Sequence, residues 1–109
     1  MKQVINQETI YWIGRNAQDN WDIIKESEEK WMWFHLDKFP SGHVIICKDN
    51  DIVTDDEIIY ASNLCIQHSK YKNVPNMSVV YCEINNLKLG EDIGSVIFKS
   101  NHKTKKIIV

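Results

Sequence analysis

The stretch from residue 31 to residue 47, WMWFHLDKFPSGHVIIC, constrains the fold most, because it predicts two neighbouring strands joined by a sharp turn. Residues 31–35 are aromatic, apolar or ring-bearing and carry no acid or lysine, which is typical of a strand buried on both faces. Residues 43–47 form the partner strand. Between them, Pro40, Ser41 and Gly42 supply a fixed φ, a short polar side chain and a residue that tolerates positive φ. The chain is therefore expected to reverse direction here, at the centre of the fold.

The remaining pattern predicts an α+β fold with a mixed β-sheet of about six strands and two main helices, in the order βαββαβββ. Strands are expected at residues 8–13, 31–35, 43–47, 78–83, 94–99 and 105–109. A short helix is expected from residue 17 to about 29. A clearer helix runs from Thr54 to about residue 71, where Thr54 and Glu57 have the spacing of a capping box. The polar residues 101–104 predict a hairpin loop. A doubly wound parallel sheet is not expected, because strands and helices do not alternate strictly.

Length and composition narrow the class of protein. The 109 residues predict one domain, 1–109, with one ordinary core. The formal net charge of −2 argues against a generally basic nucleic-acid binder. Three single cysteines, Cys47, Cys65 and Cys82, predict neither a disulfide framework nor a zinc site, and they favour a reducing compartment. No apolar run approaches the roughly 20 residues of a membrane span. We therefore expect a cytoplasmic protein with no membrane partner.

Two histidines stand on either side of the central turn. His35 and Asp37 are two residues apart on an extended segment, so their side chains share a face, and His43 lies across the turn. Two imidazoles and a carboxylate can hold a metal or act in acid–base catalysis, which keeps a small metal-dependent hydrolase as an alternative function. Two other interpretations are open, in which the histidines fix the turn through backbone hydrogen bonds or contact a ligand directly. No cofactor is predicted, and no nucleophile–base arrangement is apparent.

Two more polar clusters are candidates for binding. Arg15, the only arginine, is followed by Asn16 and Gln18 in a turn after a strand, and its planar guanidinium suits a phosphate or a base edge. Lys70 and Lys72 end the second helix, where the helix dipole alone favours cations. With Lys99, Lys103 and Lys105 of the terminal hairpin they would form one basic surface, if that hairpin packed beside the helix end. Nearby aromatic side chains could then stack on unpaired bases.

An ordered set of motifs runs through nearly the whole chain. It consists of Gly14-Arg15-Asn16, Trp33-Phe34-His35, Pro40-x-Gly42-His43-Val44-Ile45-Ile46, Ala61 to Ser69-Lys70, Val79-x-Tyr81, Gly94-x-Val96 and Val109. These motifs, which cover about residues 10–109, resemble the NFACT RNA-binding domain, NFACT-R. The chain is similar to the family in the order and spacing of several motifs together. The resemblance covers a single NFACT-R-like domain.

The resemblance implies a non-catalytic module that binds RNA. Members of the family belong to large proteins that bind obstructed 60S or 50S ribosomal subunits and recruit tRNA in ribosome-associated quality control. A second group carries the domain in a short protein with a coiled-coil tail, and residues 86–98 look more like that group. The implied partner is tRNA or ribosomal RNA. DNA, the ribosomal large subunit and a protein partner of an interaction adaptor are the alternatives.

Eight residues are expected to carry the binding. Those that would meet phosphates are Arg15, Lys38, Lys70 and Lys72. Those that would hydrogen-bond sugar or base edges, or hold the loops that do so, are Asn16, Gln18, His35 and His43. The chain departs from the family pattern where Glu91 and Asp92 replace a basic stretch. Because so few cations are available, binding is expected to be weak and steeply dependent on salt.

Overall fold

The computed structural model describes residues 1–109 and contains two helices and eight strands in two sheets. The strands are Lys2–Asn6 (β1), Thr9–Ile13 (β2), Trp31–Leu36 (β3), Val44–Asp49 (β4), Ser78–Glu83 (β5), Leu87–Leu89 (β6), Val96–Phe98 (β7) and Lys105–Ile108 (β8). The helices are Ala17–Glu26 (α1) and Asp55–Gln67 (α2). This architecture confirms the predicted α+β class with two main helices.

The main sheet has six strands in the order β1-β2-β4-β3-β5-β8. The predicted central pair is confirmed, with Trp33 opposite Ile45 and Phe34 opposite Val44. We expected a mixed sheet, but every pair of neighbouring strands is antiparallel. The reason is the placement of β3. Helix α2 carries the chain back so that β5 runs in the direction of β4, yet β3 lies between these two strands and is antiparallel to both.

Strand β3 separates two hydrophobic cores. Its residues Met32, Phe34 and Leu36 belong to the core under α2. Trp33 points to the opposite face, where it belongs to the core formed with α1 and the small β6–β7 sheet. Alternate side chains of a strand point to opposite faces, so a strand that is apolar at every position must be covered on both sides. The predicted burial of β3 on both faces is confirmed.

Strand β1 is absent from the sequence-based prediction. It pairs with β2 through a two-residue loop, Gln7 and Glu8, whose φ values are 47° and 69°. Two consecutive positive φ values define the type I′ turn that suits the twist of a hairpin. The usual sequence signal for that turn is Asn-Gly or Asp-Gly. Because Gln7-Glu8 lacks that signal, the sequence does not predict this hairpin.

The predicted hairpin of the last two strands is wrong. Strand β7 pairs with the short β6, whereas β8 joins the edge of the main sheet beside β5. The buried Asn86 separates them, since its Nδ2 donates to the Ser100 carbonyl and its Oδ1 accepts from the Ser100 N–H, both at 3.0 Å. Consequently Lys103 and Lys105 line a separate cavity near Tyr81. The predicted basic surface, in which they would lie beside Lys70 and Lys72, does not form.

Both helices are shorter than predicted. Helix α1 ends at Glu26, because the backbone of Ser27 is extended, with φ −78° and ψ 149°; the Ser27 hydroxyl donates to the Ile23 carbonyl at 2.6 Å at this end. The predicted capping box of α2 is confirmed, with Thr54 as its N-cap. That helix ends at Gln67, and residues 68–72 follow it as an irregular segment. Neither helix is long and apolar enough to cross a membrane.

Candidate nucleic-acid interface

A cleft of about 780 Å³ opens where β2 leads into α1. It is lined by residues 14–17 and Asn20, by His35 and residues 40–43, by residues 67–72, and by Ile93 and Gly94. We call it the histidine cleft. Only three of its 18 lining residues are hydrophobic, which distinguishes it from the pockets lined mainly by hydrophobic side chains that enclose small molecules.

Backbone hydrogen bonds join the segments that form the cleft. The Gly14 N–H donates to the His43 carbonyl at 2.9 Å, and the His43 N–H donates to Asn20 Oδ1 at 3.2 Å. The Gly42 N–H donates to the His68 carbonyl at 3.2 Å. A Cβ atom on Gly14 would lie 1.9 Å from Asn20 Oδ1, so any larger residue would have to displace the Asn20 side chain. The central turn is therefore held between the start of α1 and the end of α2.

His43 forms the floor of the cleft and is fixed in one protonation state. Its side chain is buried, with 4% exposed, and its Nδ1 accepts a hydrogen bond of 3.1 Å from Trp33 Nε1–H. Burial is the main cause, and charge repulsion from the nearby His35 the smaller one, that together lower the pKa of His43 to about 3. Because indole nitrogen can only donate, Nδ1 is unprotonated and the proton of the neutral ring is on Nε2.

His35 lies next to His43, is half-buried and has the opposite tautomer. Its Nδ1 lies against the Leu36 carbonyl, which can only accept, so Nδ1 carries the proton. Burial lowers the pKa of His35, and this hydrogen bond opposes the shift. The His35 ring is parallel to that of Trp33 with centroids 5.9 Å apart. It is perpendicular to the His43 ring at a centroid distance of 4.9 Å.

Cations stand on the walls of the cleft. The Arg15 side chain is 65% exposed, and its Nε lies 3.8 Å from Asp19 Oδ2. Lys70 and Lys72 are exposed on the segment after α2, and neither takes part in the ion pairs of the protein. Asn16 Oδ1 caps α1 by accepting from the Asp19 N–H at 2.8 Å. The two lysines are thus available to phosphate groups.

The structure brings six of the eight predicted binding residues to one cleft and leaves two outside it. The six are Arg15, Asn16, His35, His43, Lys70 and Lys72. Gln18 does not line the cleft, and its Nε2 donates to Asp22 Oδ1 at 2.9 Å along α1. Lys38 is exposed on the β3–β4 connection, also outside the lining.

The three residues of the alternative hydrolase site are not assembled. Asp37 Oδ2 lies 3.2 Å from Lys106 Nζ and accepts from the Ser78 hydroxyl at 3.4 Å, so its carboxylate is engaged at the sheet edge. No group of three or more metal-ligating side chains is present.

Burial raises the pKa of the Cys47 thiol to about 12, so this cysteine stays protonated and is not a reactive thiolate.

Sequence reasoning missed several residues that shape the cleft. Asn20 holds the backbone of His43, and Trp33, which we placed in the core, also selects the tautomer of His43. Phe39 and Tyr71 form a ring pair at the rim, with centroids 4.6 Å apart. Gly94, at φ +89°, approaches α1 so closely that its Cβ would lie 2.9 Å from the Cα of Ala17. Trp33 and Gly94 had a sequence signal, since both belong to the motifs that resemble NFACT-R, whereas Asn20, Phe39 and Tyr71 had none.

The chain is similar to known proteins in sequence and in fold. The sequence profile described as "NFACT protein RNA binding domain" matches residues 3–100. Coiled-coil domain-containing protein 25 of Danio rerio is 31% identical over 108 residues, covering 93% of this chain and 52% of that protein. The protein of the same name from Mus musculus is 30% identical over 112 residues, covering 93% and 51%. The chain therefore spans about half the length of the curated relatives it matches.

The similarity in fold extends to a bacterial protein. The C-terminal part of the fibronectin/fibrinogen-binding protein from Streptococcus suis superposes with a TM-score of 0.88 at 23% sequence identity. The match covers 99% of this chain and 44% of that chain. At this identity the comparison shows a shared fold.

Proposed function

Because this chain belongs to the NFACT RNA-binding domain family, we propose that it is a non-catalytic module that binds RNA in the histidine cleft. One observation carries the proposal. The fold gathers three cations, Arg15, Lys70 and Lys72, and two neutral histidines, His35 and His43, around one cleft, although these residues come from separate parts of the sequence. Cations suit the phosphates of RNA, and uncharged polar rings suit its sugars and base edges.

The ligand we propose is an unpaired segment of tRNA or ribosomal RNA. Support comes from the family, whose members resemble this chain and act on obstructed ribosomal subunits in ribosome-associated quality control. The cleft is open, and Tyr71, which lines it, pairs with the ring of Phe39, so an unstacked base can lie against an aromatic side chain. A cytoplasmic location and association with the large ribosomal subunit belong to the same proposal.

Binding by the isolated chain should be weak. The net charge is −2, and the cleft presents only a few cations for phosphate contact. Non-specific electrostatic affinity grows with the number of phosphates neutralised, so a surface with few cations binds weakly and loses affinity as salt rises. Tight binding of RNA would then require a second protein that supplies further contacts to the same RNA.

Fluorescence anisotropy with labelled tRNA, single-stranded DNA and double-stranded DNA, at about 50 and 200 mM salt, tests the proposal. The variants are Arg15→Glu and Lys70→Glu, with Lys88→Glu as the control, since Lys88 is exposed on β6 and does not line the cleft. Each variant makes the net charge more negative by two, so a loss confined to the cleft variants locates the site.

We expect saturable tRNA binding that both cleft variants abolish and that Lys88→Glu retains. Equal loss in all three variants would mean that binding follows total charge and not the cleft. No binding to tRNA or to either DNA at low salt would remove the RNA function from this chain and favour a protein partner. Tighter binding to DNA than to tRNA would favour the DNA-binding alternative.

A further inference from the structure

Two ring nitrogens in the histidine cleft have no hydrogen-bond partner within the protein. They are Nε2 of His43 and Nε2 of His35, because each ring uses only its Nδ1, towards Trp33 and towards the Leu36 carbonyl. Every fully buried side-chain nitrogen or oxygen of the protein has a partner. Both Nε2 atoms therefore reach the open space of the cleft. His43 is thus a side chain more than nine-tenths buried whose one free polar atom faces a cavity.

The two nitrogens have opposite hydrogen-bonding roles. Trp33 occupies Nδ1 of His43, which leaves Nε2–H as a donor. The Leu36 carbonyl occupies Nδ1–H of His35, which leaves the Nε2 lone pair as an acceptor. The cleft thus presents one donor and one acceptor, on perpendicular rings whose centroids are 4.9 Å apart.

The pair is held rigidly before any ligand binds. The N–H and carbonyl of His43 are bonded to Asn20 and Gly14, and its ring is held by the buried Trp33. The His35 ring is held by its bond to Leu36 and by its parallel contact with Trp33. Groups that are already ordered lose little conformational entropy on binding.

Only some ligand groups satisfy a donor and an acceptor together. A phosphate oxygen accepts only, so it would pair with His43 and leave the His35 lone pair without a donor. An ammonium group donates only and would leave His43 unpaired. A hydroxyl group accepts one hydrogen bond and donates another, each of about 2.7–3.0 Å, so it can pair with a donor and an acceptor at once.

We propose that His35 and His43 bind the ribose 2′-hydroxyl of an unpaired nucleotide and thereby make the cleft prefer RNA to DNA. The hydroxyl accepts from His43 Nε2–H and donates to His35 Nε2, while the phosphates on either side meet Arg15 and Lys70. This inference rests on the proposed function, since it concerns the same cleft. The 2′-hydroxyl is the group that distinguishes RNA from DNA at a given site.

The first test uses the unmodified protein and chemically varied oligonucleotides of about ten nucleotides, a length within the usual range of single-strand sites. Oligouridine is compared with its 2′-deoxy and 2′-fluoro derivatives. The fluoro sugar keeps the RNA-like pucker but cannot donate a hydrogen bond, so it separates sugar shape from hydroxyl recognition. We expect oligouridine to bind about five- to tenfold more tightly than either derivative, the usual effect of losing one or two hydrogen bonds.

Equal affinity for oligouridine and its 2′-fluoro derivative would overturn the hydroxyl proposal while leaving RNA binding intact. So would a dependence on the base alone, with oligoadenosine and oligodeoxyadenosine bound equally and oligouridine not bound, since adenine also offers a donor beside an acceptor. If no oligonucleotide binds, the proposed function fails as well. The three failures are therefore distinguishable.

The second test uses asparagine variants that keep the inner hydrogen bond of each ring. In His43→Asn the side-chain oxygen can still accept from Trp33, and in His35→Asn the amide can still donate to the Leu36 carbonyl. Each variant lacks the outer nitrogen, so we expect the preference for oligouridine over oligodeoxyuridine to disappear. His102→Asn, on the exposed turn after β7, is the control and should keep the preference. Thermal unfolding confirms that each variant is folded, and a preference retained in both cleft variants would contradict the proposal.

Discussion

At the scale of single residues, the burial of His43 makes the stability of the protein depend on pH. Its pKa is about 3 in the folded chain, against an ordinary value of 6.5. Between these values the unfolded chain binds a proton that the folded chain does not. The free energy of unfolding is therefore highest above pH 6.5 and falls as the pH drops towards 3. The pKa of His35 is also lowered, so His35 acts in the same direction.

Urea unfolding at about pH 7 and pH 5 measures this effect, and we expect the wild type to lose about 2 kcal/mol more than His43→Asn between them. The variant lacks the titrating ring but can keep an acceptor for Trp33, so its stability should change less with pH. Parallel pH profiles for the two proteins would show that His43 is protonated equally in the folded and unfolded states.

A second residue-scale prediction concerns Gly14. Its Cβ would overlap Asn20 Oδ1, the atom that accepts from the His43 N–H. Gly14→Ala should cost about 1–3 kcal/mol of unfolding free energy through overpacking. In an Asn20→Ala background the same change should cost clearly less, because the colliding side chain is gone. Denaturant unfolding of the four proteins in this cycle gives the coupling energy, and strict additivity would show that the two residues do not compete for the same space.

At the scale of elements, substitutions at the start of α2 show how much its cap and its contacts with the sheet contribute to stability. Glu57 accepts from the Thr54 N–H at 2.7 Å, from Lys48 Nζ at 2.9 Å and from the Thr9 hydroxyl, so it joins α2 to β2 and β4. Thr54→Ala removes the N-cap and should cost about 1 kcal/mol. Glu57→Ala should cost about 2–3 kcal/mol, because it also leaves the Lys48 ammonium without its partner.

Asn63→Ala is the matched control for α2, since Asn63 is exposed in the middle of the helix and alanine has the higher helix propensity. Its unfolding free energy should be unchanged or slightly higher. Equal losses for Thr54→Ala and Glu57→Ala would mean that the contacts of Glu57 with the sheet contribute nothing beyond the cap. Urea midpoints at neutral pH rank the three variants.

The elements that could be predicted are those whose pattern is local. The central strands, the capping box and β5 follow from apolar runs and cap spacing, and all of them are present. The small β6–β7 sheet could not be predicted in the same way. Residues 101–104 have the polarity of a hairpin loop, but the hydrogen bonds between Asn86 and Ser100 direct β7 and β8 to different sheets. That choice depends on a contact between residues distant in sequence.

At the scale of the whole molecule, RNA affinity should fall only moderately as salt rises, and not steeply as expected from the sequence, because few phosphates are contacted. Three cations line the cleft, Arg15, Lys70 and Lys72. For single-stranded RNA, three phosphate contacts predict a slope of about −2 for log K against log salt, since each contributes about 0.7. Lys70→Gln should make the slope shallower by about 0.7.

The control for this slope is Lys30→Gln, because Lys30 lies 3.4 Å from Asp51 Oδ2 and outside the cleft. It should leave the slope unchanged. Anisotropy titrations at several salt concentrations provide both values. An identical reduction in the two variants would mean that RNA meets the general surface of the protein.

The sequence alone determined the α+β class, the central β3–β4 pair with its burial on both faces, the cap of α2 and the family resemblance. These depend on propensity and on the alternation of apolar residues, which are local properties of a chain. It also pointed to the residues of the cleft, since six of the eight predicted ones line it. Gln18 on α1 and Lys38 on the β3–β4 connection could not be separated from them, because the direction and exposure of a surface side chain depend on the packed structure.

The tertiary structure decided how the cleft residues are arranged and in which chemical state. Trp33 and Asn20 select the tautomer of His43 and fix its backbone, from positions 10 and 23 residues away. The carboxylate of Asp37, which the sequence places beside the histidines, instead pairs with Lys106 on β8. A hydrogen-bond partner is chosen by distance and angle in the folded protein, so only the packed structure brings one donor and one acceptor together in the cleft.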